Sequence, residues 1–353
     1  MQTDDLHFMA QALRLGRRGM GHTGENPSVG CVIVKEGEVK GLGFTQPGGR
    51  PHAETQALLL AGTQAKGATA YVTLEPCSHH GKTPPCADAL IAAGISRAVI
   101  AIQDPDPRVC GNGIQRLRDA GVEVTIGTLA EEARRDLAGF LTRTIQNRPH
   151  VTLKLALSAD GMMAAVPGAR TMITGPAANA RTHLMRARSD AIMVGIGTVL
   201  ADDPELTCRL PGLEHRSPIR VVADARLALP LTSKLMTTAA QVPVWLLTTG
   251  DTAPDEPGLT AIKCRATPEG RLDFADALTH LAARGVGRLM VEGGARVAKG
   301  LLGQGLVDEL AMFTSPKELG PGGLKPDINL AAFRLHHEEM LGDDRLTVYE
   351  ALR

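Results

Sequence analysis

Apolar residues recur along this chain in two rhythms, one helical and one extended. Leu6, Met9, Ala10 and Leu13 fall on one helix face behind Asp4 or Asp5 as a cap, with Gly16 and Gly19 ending the helix. The segments 29–34 (VGCVIV) and 39–44 (VKGLGF), parted by a Glu36-Gly37 turn, predict a strand pair. A helical stretch at 54–62 leads to a strand at 68–74, and helix 86–94 leads to strand 97–102. Helix 114–120, strand 122–126 and helix 130–140 follow. Such alternation predicts a layered sheet with helices on both faces.

The run NRPH at 147–150 interrupts the pattern and reads as a short linker, giving domains at 1–147 and 148–353. A second alternation then begins. Strands are expected at 151–157, 191–196, 219–224, 242–247 and 288–293, with helices at 177–188 and 274–284. A Gly-rich helix start at 294–300 precedes a β-rich tail containing DELAMF and RLTVYEA. The second half is therefore another α/β domain. At 353 residues the chain has room for both, at about 150 residues per domain.

Composition narrows the function classes. The 38 Lys and Arg balance 38 Asp and Glu, and the chain holds one Trp and two Tyr. Nucleic-acid binding, which needs a positive track with stacking aromatics, is not expected. No apolar run approaches the about 20 residues that cross a bilayer, and the acidic, then amphipathic start is unlike a signal peptide. Six cysteines, two of them near a histidine motif, fit a reducing compartment better than a disulfide scaffold. A cytoplasmic protein is expected, with a homo-oligomer as its assembly.

The chemistry concentrates in two short segments. His52-Ala53-Glu54 and Pro76-Cys77, with Cys86 following Cys77 after eight intervening residues, offer one imidazole and two thiolates. Catalytic zinc takes three protein ligands and keeps a fourth position for water, whereas structural zinc closes all four. His52 and Cys86 both stand at predicted helix starts, where the dipole favours thiolate. Pro84 and Pro85 set the backbone just before Cys86. Glu54 is placed to move protons without ligating. The order matches the His-x-Glu…Pro-Cys-x-x-Cys pattern of zinc nucleobase deaminases, apart from the longer spacing between the cysteines. The rival reading is a structural zinc knuckle. Cys31 reads as a small buried apolar residue, and Cys110, Cys208 and Cys264 as bystanders.

The long insertion is informative. LEPCSHHGKTPPC (74–86), NPSVGCVIV (26–34) ahead of HAE (52–54), and QDPDP (103–107) together resemble the deaminase domain of the bifunctional riboflavin-biosynthesis deaminase–reductases. The resemblance implies a cytidine-deaminase-like three-layer α/β/α domain. It also implies a substrate that is a diaminopyrimidinone carrying a ribosylamino 5′-phosphate. Asn26 would then bind the base, and His79, Lys82 and Thr83 would line the entrance.

In the second half, RLMVEGGARVAKG (288–300) is a strand, a glycine pair and a helix start, suited to phosphate but lacking the G-x-G-x-x-G of a Rossmann domain. With KLALSADG (154–161), TMITG (171–175) and the stretch 184–209, it resembles the reductase domain of the same family. That likeness implies a dihydrofolate-reductase-like fold and NADPH as cofactor. Ala156, Met172, Thr198, Asp202 and the loop Gly294, Ala295, Arg296, Val297, Ala298, Lys299 and Gly300 would contact the nucleotide. Arg170, Arg186, Leu206, Arg209 and Glu292 would contact substrate, the arginines Arg186 and Arg209 being suited to bidentate phosphate recognition. Lys154 is expected beside the nicotinamide, orienting the sugar or assisting proton transfer. Met162, Met172 and Arg170 depart from the family pattern, so the rival reading keeps the deaminase and makes the second domain inactive.

Overall fold

The computed structural model describes residues 3–79, 84–107, 109–164, 172–251, 254–320 and 323–352. The chain divides into two compact units, Met1–Asn147 and Arg148–Arg353.

The first unit runs α1 (Thr3–Gly16), β1 (Gly30–Lys35), β2 (Glu38–Phe44), α2 (Ala53–Ala61), β3 (Thr69–Val72), α3 (Cys86–Ala92) and β4 (Arg97–Ile100). It continues with α4 (Asn112–Asp119), β5 (Glu123–Ile126), α5 (Ala130–Asp136) and α6 (Ala138–Gln146). The sheet order is β2-β1-β3-β4-β5. Pairing is antiparallel across β2, β1 and β3 and parallel from β3 to β5. Cys31, Val32 and Ile33 of β1 are fully buried, as expected of a strand covered on both faces.

The helical face of α1 is offset from the expected one. Phe8, Met9, Ala12 and Leu13 are buried, and Asp5 lies on that same inward face instead of capping the helix. There the Asp5 carboxylate accepts from Tyr71 Oη at 2.9 Å and from both Arg97 terminal nitrogens at 2.8 and 2.9 Å. A buried charge is tolerated when paired in this way. The helix expected at 130–140 is two helices, broken at Leu137.

The second unit runs β6 (His150–Leu157), α7 (Pro176–Ala187), β7 (Ala191–Gly195), α8 (Ile196–Asp202), β8 (Ile219–Ala223), α9 (Lys234–Thr237) and β9 (Val244–Thr248). Then come β10 (Leu259–Lys263), α10 (Phe274–Ala282), β11 (Arg288–Glu292), α11 (Ala295–Gly303), β12 (Glu309–Thr314), β13 (Phe333–Leu341) and β14 (Asp344–Ala351). Its sheet order is β10-β9-β8-β7-β11-β6-β12-β14-β13. The pairing is parallel from β10 to β12, and the β-rich tail adds two antiparallel strands. Val151, Leu153 and Leu155 of β6 pack with Leu289 and Val291 of β11 in the main core cluster. The fold is mixed α/β in both units. No helix among the described residues is long and apolar enough to cross a membrane.

Candidate active sites

The metal-binding geometry is set by where α2 and α3 begin. His52 is the extended N-cap residue of α2 and Cys86 is the first residue of α3, after Pro85. Strand β2 receives α2 closely: a Cβ on Gly43 would lie 2.0 Å from the Ala53 carbonyl oxygen, so only glycine admits the helix there. Cys77 follows β3 in the loop that leads to α3, and its carbonyl accepts from Ala87 N at 3.2 Å.

His52 Nδ1 lies 3.3 Å from Cys86 Sγ and 3.7 Å from Cys77 Sγ, and the three donor atoms are all within 4.8 Å of one another. Ideal tetrahedral zinc, with bonds of about 2.1 Å to nitrogen and about 2.3 Å to sulfur, puts N and S about 3.6 Å apart. The donor set therefore fits one zinc ion. The Cys86 N–H donates to Cys77 Sγ at 3.3 Å. Hydrogen bonds from the Cys86 thiol, with help from His52 and the Cys86 N–H, pull Cys77 down to about 4, while contact with that thiolate and burial push Cys86 up. A divalent cation in the same place would favour the thiolate form of both sulfurs.

Glu54, in the first turn of α2, is 4% exposed. Burial, reinforced by the Cys77 charge, pushes its carboxyl up to about 7, so it can both accept and release a proton near neutrality. Asn26 lies in a turn closed by Thr23 Oγ1 donating to the Asn26 carbonyl at 2.7 Å, and its amide rests against Gly49. His79 is exposed. Lys82, Thr83 and Arg170 lie outside the described residues. Cys31 is buried, and Cys110, Cys208 and Cys264 are free thiols outside the cluster.

In the second unit, strand register brings the charged candidates together. Glu292 of β11 is opposite Lys154 of β6. The Glu292 carboxylate accepts from Arg186 Nε at 2.6 Å and Nη2 at 2.8 Å, while Arg186 Nη1 donates to the Thr207 carbonyl at 2.9 Å. All three Arg186 nitrogens thus donate to protein acceptors, and this arginine orients Glu292. Burial alone would raise Glu292, but Arg186 and Lys154 outweigh it and hold the carboxyl below its usual range. Lys154 Nζ sits 5.5 Å from the Phe313 ring centroid, and burial lowers its pKa against the pull of Glu292.

Two neighbours complete the cluster. Burial and the Arg186 and Arg209 charges hold His183 below its ordinary value. A neutral His183 Nδ1 then accepts from the Arg209 N–H at 3.2 Å. The Arg209 side chain pairs with Glu205 at 2.9 Å and is half exposed, with room to meet an anion. Leu206 is buried in a core cluster with φ of 57°, so any contact with a ligand would come through its backbone.

The nucleotide candidates gather where β7 enters α8 and β11 enters α11. Gly294 has φ of 81°, caps α11 without any side-chain bond, and a Cβ on it would lie 3.2 Å from Thr198 Oγ1. Val297 and Ala298 are buried and Arg296 and Lys299 exposed; the Ala298 N–H donates to the Gly294 carbonyl at 3.1 Å, so contact at the helix start would come through the N–H groups ahead of it. A Cβ on Gly300 would strike the Phe274 ring at 2.6 Å, so Gly300 packs against α10. Asp202 Oδ1 is buried without a hydrogen-bond partner, an acceptor suited to a ribose hydroxyl. Ala156 is half-buried on β6 and Met172 is 62% exposed. A bare glycine cradle and an orphaned acceptor fit a dinucleotide.

Comparison with known proteins finds relatives of both units. Residues 2–102 match the cytidine and deoxycytidylate deaminase zinc-binding region, and residues 149–344 match the RibD C-terminal domain. The riboflavin biosynthesis protein RibD of Escherichia coli is 43% identical over 90% of this chain and 89% of its own length. RibD of Aquifex aeolicus is 38% identical over 98% of each chain. Acinetobacter baumannii RibD superposes with a TM-score of 0.87 at 36% identity, over 99% of both chains. A Thermotoga maritima diaminohydroxyphosphoribosylaminopyrimidine deaminase/5-amino-6-(5-phosphoribosylamino)uracil reductase superposes with a TM-score of 0.88 at 33% identity, again over 99% of both. With a His/Cys donor cluster in one unit, family models matching both units and relatives aligned across nearly its whole length, this chain belongs to the RibD family of bifunctional riboflavin-biosynthesis proteins.

Proposed function

We propose that the chain performs two consecutive steps on one riboflavin precursor, a diaminopyrimidinone carrying a ribosylamino 5′-phosphate. The first unit replaces the 2-amino group by a carbonyl and releases ammonia. The second reduces the ribosyl chain to ribityl with NADPH. The observation that carries the reading is the packing of His52, Cys77 and Cys86 donor atoms within 4.8 Å beside a buried Glu54.

A zinc ion held by His52 Nδ1 and the two sulfurs lowers the pKa of water from about 15.7 to about 7. Glu54 takes a proton from the attacking water and delivers it to the ring nitrogen, then takes the proton of the newly added hydroxyl and delivers it to the departing amine. Asn26 holds the base, and His79, Lys82 and Thr83 stand at the entrance. In the second unit the Gly294–Gly300 stretch, Thr198, Asp202, Ala156 and Met172 hold NADPH, which supplies the hydride. Lys154 and Glu292 face the opened sugar, with Lys154 delivering a proton to the reduced oxygen or nitrogen, and Arg209 meets the phosphate. Arg170 and the backbone of Leu206 complete the substrate side.

Free thiols and the absence of a membrane-crossing helix among the described residues support a cytoplasmic enzyme. The outer strand β13, exposed over most of its length, supports a homo-oligomer.

Glu54→Gln tests the deaminase step. Zinc content and circular dichroism should match the wild type while ammonia release falls by about 10²–10⁴-fold, the usual worth of a general acid–base group. Unchanged ammonia release would refute the assigned mechanism.

A further inference from the structure

Glu75 belongs to neither set of expected site residues, yet its carboxylate is among the most engaged in the first unit. It is 3% exposed and accepts four backbone N–H groups from one distant segment. Oε2 accepts from Asp104 at 3.2 Å and Gly111 at 3.0 Å. Oε1 accepts from Gly113 at 2.9 Å and Ile114 at 3.1 Å. Gly111, the N-cap of α4, has no capping side chain, so Glu75 supplies the cap from another element. Its own N–H donates to the Ile102 carbonyl at 3.0 Å, extending the β3–β4 pairing.

The same contact reaches the metal ligand two residues on. A Cβ on Gly113 would lie 2.0 Å from the Pro76 carbonyl oxygen, so α4 presses directly on the peptide that precedes Cys77. From Pro76–Cys77 the chain bonds onward to α3 through Cys86 N to Cys77 Sγ and Ala87 N to Cys77 O. The neighbourhood is otherwise hostile to an added negative charge. Asp104 is buried beside it and pushed up to about 6, first by that burial and further by Asp106, Glu75 and the Cys77 sulfur. Four backbone N–H groups satisfy the buried Glu75 side chain there.

We infer that Glu75 is a positioning residue for the metal centre. By clamping residues 104–114 it fixes the Pro76–Cys77 peptide, and so sets the distance from Cys77 Sγ to His52 Nδ1. The inference rests on the zinc reading of His52, Cys77 and Cys86. Partners beyond the ligands commonly change metal affinity by about 10–100-fold when lost.

The test uses the full-length protein loaded with zinc, or with cobalt(II) as a spectroscopic replacement. Glu75→Gln keeps the shape but turns an NH2 group toward two N–H donors. Gly113→Ala leaves Glu75 intact and pushes the Pro76 carbonyl away. Zinc affinity by chelator competition should fall about 10–100-fold in Glu75→Gln. The thiolate-to-cobalt and ligand-field bands should shift in the same direction in both variants. Wild-type affinity and an unchanged cobalt spectrum in Glu75→Gln would overturn the inference. Should Glu75→Gln fail to fold, an unchanged spectrum in Gly113→Ala overturns it alone. A wild-type protein without thiolate-to-cobalt bands overturns the metal reading itself, and the inference with it.

Discussion

Lys154 shows how much a single side chain depends on its register partner. Burial works against its charge, and Glu292, opposite it in the β6–β11 ladder, works for it. A buried lysine of this kind gives up its proton more readily than an exposed one. Lys154→Met should lower NADPH oxidation by about 10²-fold or more while ammonia release stays at the wild-type level. Unchanged NADPH oxidation would remove Lys154 from the chemistry. At this scale the sequence was most legible where function is local. His52, Glu54, Cys77 and Cys86 sit in two short segments, and their identity and order already imply zinc hydrolysis. Glu75, His183 and Asp5 were not legible, because each acquires its meaning from a partner far away in the chain. Asp5 meets Arg97 and Glu75 meets Gly113, and no local pattern announces either pair. Only the LEPC string around Glu75 marked its neighbourhood, through resemblance. Arg186 carried the opposite lesson: its residue type read as a phosphate clamp, but its three nitrogens are committed to protein acceptors.

At the scale of elements, periodicity located the long helices and the buried strands, whose apolar runs are bounded by Gly and Pro. Some short elements escaped it. Helix α8 is seven residues, and β10 alternates too weakly to stand out from a loop. Strand β13, FRLHHEEML, has little apolar content because it lies at a sheet edge and is exposed on both faces. The joint where β6 and β12 begin rests on a buried pair that the sequence did not disclose. Arg148 donates to both Asp308 oxygens at 2.7 and 2.8 Å, and the Val151 N–H donates at 2.7 Å. Burial pushes the Asp308 carboxyl up, but Arg148, His150 and the Val151 N–H outweigh it and leave the folded pKa below the ordinary value. Its stabilisation is therefore complete above an unfolded pKa of about 3.9 and is lost as pH falls through the lower folded value. Asp308→Asn leaves Arg148 buried beside a neutral partner and should cost about 3–5 kcal/mol at neutral pH. Denaturant titrations of the second unit's transition should show that gap near pH 7 and see it narrow below about pH 4. Equal stabilities at pH 7 would contradict the assigned role of the pair.

The whole molecule is two units, each with its own sheet and its own core. Each site is built from residues of one unit, His52 to Cys86 in the first and Lys154 to Gly300 in the second. A substitution among the candidate residues of one unit is expected to leave the other unit's sheet and core intact. The departures at Met162, Met172 and Arg170 had kept open an inactive second half. The RibD C-terminal domain match over residues 149–344 does not favour that alternative, and Arg186, Glu292 and Lys154 are clustered in the same unit. The most direct test gives zinc-loaded protein the diaminopyrimidinone ribosylamine phosphate together with NADPH, and follows ammonia and NADPH separately. One ammonia should be released and one NADPH oxidised per substrate, and in Glu54→Gln NADPH oxidation should fall with ammonia release. Ammonia release without any NADPH oxidation would contradict this expectation.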